Sequence, residues 1–308
     1  NIFFTDHSYF LHSINILFVE VRILISIIDT IGNTPIIELK NIEKGSGNTL
    51  YAKLEQFNPF GSIKDRAAKQ IIEDAENSGE LYHEKSIVEA TSGNMGIALS
   101  ALSLIKGYKC TVVMPENTSL YRKKIIKLYG ANLILTPAGE GMRGSIAEAE
   151  RISKFGNFFY TNQFSNQSCI NAHKNTTAPE LYSQLNGNID YIIAGIGSGG
   201  TISGIGEYLK TIKPSIRIIG VLPDTVPHGI TGLGAGFTPP ILNQSVIDEI
   251  LYVETSKASS ACLDLLRKEG LFAGISSGAA LSAAIEISRL EKNKNIVIIF
   301  PDGGERYI

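Results

Sequence analysis

The chain has 308 residues, 44% of them apolar, and a formal net charge of -2 from 28 basic and 30 acidic side chains. At roughly 100–200 residues per domain this is material for two cores and a cleft between them, and without a basic block interleaved with aromatics no nucleic-acid partner is expected. Cys110, Cys169 and Cys262 stand far apart with no CxxC pair, and His7, His12, His83, His173 and His228 show no HxH or HxxxH spacing, so neither a disulfide framework nor a metal centre is expected and a reducing compartment fits.

The apolar run from Ile14 to Ile28 is interrupted by Glu20 and Arg22, short of the ~20 residues of a membrane span. No small-residue cleavage pattern follows it, so no targeting is read from it. The first methionine is Met95, and residues 1–24 read as an extension or as the edge of a fragment. From residue 35 onward ten short β-rich runs are expected as strands, at 35–39, 50–55, 86–89, 110–114, 132–135, 158–161, 191–194, 216–221, 249–253 and 295–300. They alternate with helical stretches, which argues for α/β units with mainly parallel sheets. Several are apolar on both faces, as strands covered on both sides should be. Ligands of such sheets sit beyond the carboxyl ends of the strands.

Lys64 follows the turn Asn58-Pro59-Phe60-Gly61-Ser62 and opens a helix-forming stretch. In a first turn the backbone dipoles would lower its pKa, as a Schiff-base lysine requires; a solvated lysine is the plain alternative. Thr91-Ser92-Gly93-Asn94-Met95-Gly96 puts hydroxyls, an amide and unpaired N–H groups at a second helix start, suited to a carboxylate or to simple capping. Gly195-Ile196-Gly197-Ser198-Gly199-Gly200-Thr201 follows a strand and opens a helix, a cradle for a phosphate. The same loop satisfies GxGxxG, with Asp224 ending the next strand, so a dinucleotide reading stands beside the phosphate one. Ser276 and Ser277 offer hydroxyls at a further helix start.

Eight ordered motifs, Ile31-Gly32-Asn33-Thr34-Pro35, residues 58–66, residues 91–96, Asn162-Gln163-Phe164-Ser165-Asn166, residues 197–201, Pro227-His228-Gly229-Ile230 with Gly234-Ala235-Gly236-Phe237, residues 274–279 and Gly304-Glu305-Arg306-Tyr307, together resemble the cysteine synthase (O-acetylserine sulfhydrylase) family. Cystathionine β-synthase and β-cyanoalanine synthase enzymes share most of them. The resemblance implies two three-layer α/β domains of the tryptophan synthase β-like type, a smaller mobile one over 49–152 and a larger one over 25–48 and 153–308. It implies pyridoxal 5'-phosphate as cofactor, with Lys64 as aldimine lysine and base, Asn94 at the ring hydroxyl, Gly197, Ser198, Gly199, Gly200 and Thr201 at the phosphate, and Ser276 at the pyridine nitrogen. Thr91, Ser92, Gly93, Asn94, Met95, Gln163 and Gly234 would bind the substrate.

The implied reaction replaces the acetoxy group of O-acetyl-L-serine with sulfide, through an aminoacrylate, giving L-cysteine and acetate. A cytoplasmic homodimer is implied, with no membrane attachment. Three departures stand out: Met95 occupies a position usually held by threonine and matches β-cyanoalanine synthases, the 224–228 segment is shortened where serine acetyltransferase docks in relatives, and the chain ends before the terminal helix of relatives. A non-catalytic, partner-binding relative is the alternative from another class.

Overall fold

The computed structural model describes residues 26–42 and 45–308, so the extension expected over 1–24 lies outside the described residues. Ten strands are found where ten were expected: β1 (Ile36–Glu38), β2 (Thr49–Leu54), β3 (Ser86–Ala90), β4 (Lys109–Pro115), β5 (Asn132–Thr136), β6 (Phe158–Tyr160), β7 (Tyr191–Gly195), β8 (Arg217–Pro223), β9 (Glu249–Val253) and β10 (Asn295–Phe300). The helices are α1 (Lys64–Asn77), α2 (Asn94–Lys106), α3 (Leu120–Leu128), α4 (Gly141–Ser153), α5 (Ser168–Ala172), α6 (Ala178–Gln184), α7 (Gly200–Ile212), α8 (Thr255–Asp264) and α9 (Ile275–Leu290). One sheet runs β1-β2-β10-β7-β8-β9, the other β5-β4-β3-β6. Every pairing is parallel except β1 with β2.

Alternation along each strand explains the layers. In β10, Ile296, Ile298 and Phe300 enter the core shared with Ala279, Ala280, Ala283 and Ala284 of α9, whereas Val297 and Ile299 enter the one shared with Ile202, Ile205 and Leu209 of α7. Period-two side chains thus bury both faces, and helices must cover both. The smaller sheet repeats the device: Ile87, Val112 and Met114 face a core with α1 and α2, and Val88, Ala90 and Val113 face one with α4. Each sheet is the middle of a three-layer α/β unit.

The expected boundaries at 49 and 152 do not match the sheets. Strand 49–54, placed with the smaller domain, is β2 and pairs along its length with β10; strand 158–160, placed with the larger, is β6 and pairs with β3. Parallel strands accept partners from distant sequence because crossover connections decide adjacency, and no local signal marks those partners.

The seat of α1 matters most for function. Ala67, Ala68, Ile71 and Ile72 are fully buried or nearly so, and each isoleucine contributes on the order of 1.5–3 kcal/mol by leaving water. Ahead of the helix, Phe60 N–H donates to Asp65 Oδ2 at 2.7 Å, closing the turn that carries Gly61 at φ +81°. Behind it, buried Arg66 donates to Glu55 at 2.7 and 2.9 Å and to Glu180 at 2.6 and 2.7 Å, while Lys53 reaches Glu180 at 2.9 Å. Burial alone would raise the Glu180 pKa, but the bonds from Arg66 and Lys53 hold it at about 2. The N-terminus of α1 is thereby tied to β2 and α6.

Candidate active site

Three loops beyond the carboxyl ends of β2, β3 and β7, together with the starts of α1, α2, α7 and α9, enclose a cavity of about 260 Å³. Its wall includes Lys64, Thr91, Ser92, Gly93, Asn94, Met95, Gln163, Gly197, Ser198, Gly199, Thr201, Gly234 and Ser276. Of the residues expected from the sequence only Gly200 is off the wall. An added Cβ there would lie 2.9 Å from Cys169 Cβ, so glycine lets α7 pack closely on α5.

Lys64 is the first residue of α1 and its Nζ donates to Ser198 Oγ at 3.2 Å. Its pKa is lowered, and the main cause is burial, against opposing contributions from Cys169 and Glu89. The direction expected from the first-turn position is therefore found, but desolvation rather than the helix dipole leads. The 197–201 loop leaves the N–H groups of Gly197 to Thr201 without a backbone acceptor. A Cβ on Gly197 would sit 2.3 Å from the Gly232 carbonyl oxygen, so only glycine permits this loop to lie so flat. Thr201 Oγ1 meets His173 Nε2 at 3.2 Å; burial lowers the His173 pKa well below its usual value and keeps the ring neutral.

The 91–95 loop leaves the N–H groups of Ser92, Asn94 and Met95 without a backbone acceptor, a concave donor set at the positive end of α2. The Asn94 side chain is held on both sides, donating to Asp302 Oδ2 at 2.6 Å and accepting from Arg306 at 2.7 Å. Gln163 Nε2 donates to Glu89 Oε1 at 2.8 Å and to the Ala90 carbonyl at 3.3 Å.

Glu89, Arg122, His173 and Asp302 were not singled out from the sequence. Asp302 had a signal, since it directly follows the carboxyl end of β10, where ligands of parallel sheets gather. Arg122 lies in the basic run Arg122-Lys123-Lys124 and reads as solvated helix surface; only its packing inward reveals it.

Glu89 is fully buried and receives hydrogen bonds from Thr161 Oγ1 and Gln163. Burial raises its pKa to about 7, and Asp65 is raised to about 7 for the same reason. An acid whose folded pKa exceeds its unfolded value stabilises the fold fully below the unfolded pKa, and that contribution is lost as pH climbs through about 7. The neutral variant Glu89→Gln is expected to flatten the stability profile between about pH 4.5 and 7 and to raise the unfolding free energy at pH 8 by up to roughly 3 kcal/mol. Denaturant melts across that range measure it; an unchanged slope would show that Glu89 does not titrate there.

The donors fit a phosphorylated pyridine aldehyde: an amine of lowered pKa, a glycine cradle of unpaired N–H groups beside it, and a hydroxyl, Ser276, at another helix start. The family model described as pyridoxal-phosphate dependent enzyme matches residues 27–302. The chain belongs to the pyridoxal-phosphate dependent enzyme family. It is 42% identical over 294 residues to cysteine synthase of Staphylococcus aureus, covering 92% of this chain and 95% of that protein. Among solved structures it is similar to an O-ureido-L-serine synthase (TM-score 0.90, 36% identity, 93% of this chain and 94% of that one). It is also similar to cysteine synthase of Entamoeba histolytica (TM-score 0.89, 37% identity, 94% and 90% covered). A hydrogen sulfide-producing enzyme of Fusobacterium nucleatum matches with TM-score 0.89 and 38% identity, over 93% of this chain and 100% of that one. Membership in this family sets aside the dinucleotide reading of the 195–200 glycines and explains why Lys64 and the 91–95 loop share their cavity. Among the described residues no helix is long and apolar enough to cross a membrane.

Proposed function

We propose that the chain is a cysteine synthase that replaces the acetoxy group of O-acetyl-L-serine with sulfide, releasing acetate and L-cysteine. The observation that carries this is the meeting, in one cavity, of Lys64, the 197–201 cradle and the 91–95 nest. Pyridoxal phosphate bound there would supply a ring that withdraws electrons from the substrate Cα. Gly197 to Thr201 would hold its phosphate and Ser276 its ring nitrogen, while Lys64 anchors it. Thr91, Ser92, Gly93, Asn94, Met95, Gln163 and Gly234 would fix the amino-acid substrate, which turns a Cα–H bond toward Lys64. Lys64 Nζ takes that proton, the Cβ–O bond breaks with its electron pair leaving on acetate, hydrosulfide forms the Cβ–S bond, and Lys64 returns a proton to Cα. A depressed amine pKa keeps Nζ free of its proton when that step begins. Closure of the smaller unit over the cleft, a cytoplasmic homodimer and, against the shortened 224–228 segment, a docking partner such as serine acetyltransferase belong to the same reading.

A panel of β-substituted alanines offered with sulfide, cyanide or homocysteine tests it. Fastest turnover is expected with O-acetyl-L-serine and sulfide; no turnover from any pair would leave a non-catalytic relative. Met95 favours a second reading, β-cyanoalanine synthesis, because it stands on the cavity wall where threonine is usual. Yet Met95 is only 1% exposed and belongs to the smaller sheet's core. Met95→Thr is therefore expected to cost about 2 kcal/mol of stability while leaving sulfide preferred over cyanide. A wild-type preference for cyanide that Met95→Thr turned to sulfide would instead assign Met95 to the choice of nucleophile.

A further inference from the structure

Arg122 is a charged side chain in an expensive place. It is 5% exposed, lines the cavity, and forms no ion pair among the described residues. Its Nε has no acceptor. Among the described residues its guanidinium makes one hydrogen bond, a long one of 3.4 Å from a terminal nitrogen to the Ser92 carbonyl, and lies 5.0 Å from the centre of the Tyr307 ring. Gly93 packs against the guanidinium, since a Cβ added there would fall 3.1 Å from Nε and 3.2 Å from Cζ. The acid of this wall, Asp302, spends Oδ2 on Asn94 and Tyr307; its Oδ1 has no hydrogen-bond partner, and the Arg122 charge acts on Asp302 only through space, with no ion pair between them. Arg306, the other guanidinium here, is already engaged by Asn94 and the Phe60 carbonyl.

A buried guanidinium without a carboxylate is strongly unfavourable unless something anionic completes it. Gly93 belongs to the 91–95 nest, which lines the cavity at the positive end of α2 and leaves the N–H groups of Ser92, Asn94 and Met95 without a backbone acceptor. We propose that Arg122 is a positioning residue that supplies the counter-charge for the substrate's α-carboxylate, acting across Gly93, and that it holds the Ser92 carbonyl back so that the loop's N–H groups point at the anion. This rests on the amino-acid reading of the cavity proposed above. It explains why Gly93 carries no side chain: one would separate guanidinium from anion. In a low-dielectric wall the interaction acts without direct contact.

The test uses the cofactor-loaded enzyme and equilibrium binding, read as the change of the cofactor's visible absorption when L-serine or L-serinamide is added. The two differ in the carboxylate alone. Arg122→Gln is expected to weaken L-serine about tenfold or more while L-serinamide changes less than about twofold, and Arg122→Lys, which keeps the charge, should retain most of the wild-type preference for L-serine. Equal losses for both ligands would mean that Arg122 merely supports the loop, and no loss for either would remove it from recognition; both results overturn the proposal. Should the glutamine variant fail to load cofactor, the lysine variant decides, since a preference that vanishes despite the retained charge refutes a counter-charge role. If wild-type enzyme responds to neither ligand, nor to O-acetyl-L-serine, the amino-acid reading itself falls.

Discussion

Lys64→Ala is expected to leave a folded protein that has lost its visible cofactor band and turns over O-acetyl-L-serine at least about 10² to 10⁴-fold more slowly, the range associated with a positioned proton-transfer group alone. Lys64 forms one side-chain hydrogen bond, to Ser198, so its removal breaks no structural network, and thermal melting of the apoprotein should shift little. Absorbance after cofactor reconstitution, followed by single-turnover kinetics, provides the measurement. A variant that keeps both the band and the rate would place the reactive amine elsewhere. The lowered pKa of Lys64, caused by burial, adds a second reading: methylamine added to the variant should restore part of the rate, since the site lacks only an uncharged amine.

Arg66→Ala should be the most damaging substitution for stability. Arg66 is 3% exposed and the loss of its six side-chain bonds to Glu55, Glu180, Thr176 and Thr34 leaves buried Glu55 without an ion-pair partner and Glu180 with Lys53 alone. Breaking a buried pair in this way costs about 3–5 kcal/mol, a large fraction of the stability of an ordinary domain. Because Arg66 follows Lys64 by half a turn, the loss should also show in activity before the protein unfolds. Denaturant titration of Arg66→Ala beside Glu180→Gln, which removes one acceptor only, separates the two acids. A loss under 1 kcal/mol would mean the network is wetter than its geometry indicates.

Local chemistry explains what the sequence disclosed. All ten strands were legible because buried parallel strands are short, β-branched and apolar on both faces, and the glycine loops were legible because a helix start that must approach a ligand closely leaves no room for Cβ. Long-range pairing was not. Nothing in residues 49–54 announces residues 295–300 as neighbours, and nothing in residues 158–160 announces β3, so the expected bounds at 49 and 152 do not follow the sheets. Gly200 was grouped with its flanking residues by motif, although only three-dimensional packing reveals that it lets α7 lie close on α5. Charged residues deceived in one direction only: Glu89 and Arg122 look like surface on composition, and burial gives each its importance.

The pairing of β2 with β10 also sets an order of events in time. The centre of the larger sheet is the strand at residues 295–300, flanked by β2 and β7, so a nascent chain holds β2 and β7 unjoined until residues 295–300 have emerged. Closing that sheet brings together residues about 245 apart, as in the register of Leu50 with Ile296, and such non-local closure is slow. The smaller sheet, complete by Tyr160, has no such wait. Synthesis therefore leaves the β10-facing edge of β2 open, with only β1 on its other side, until residue 300 has emerged, an interval in which open strand edges favour aggregation or chaperone capture.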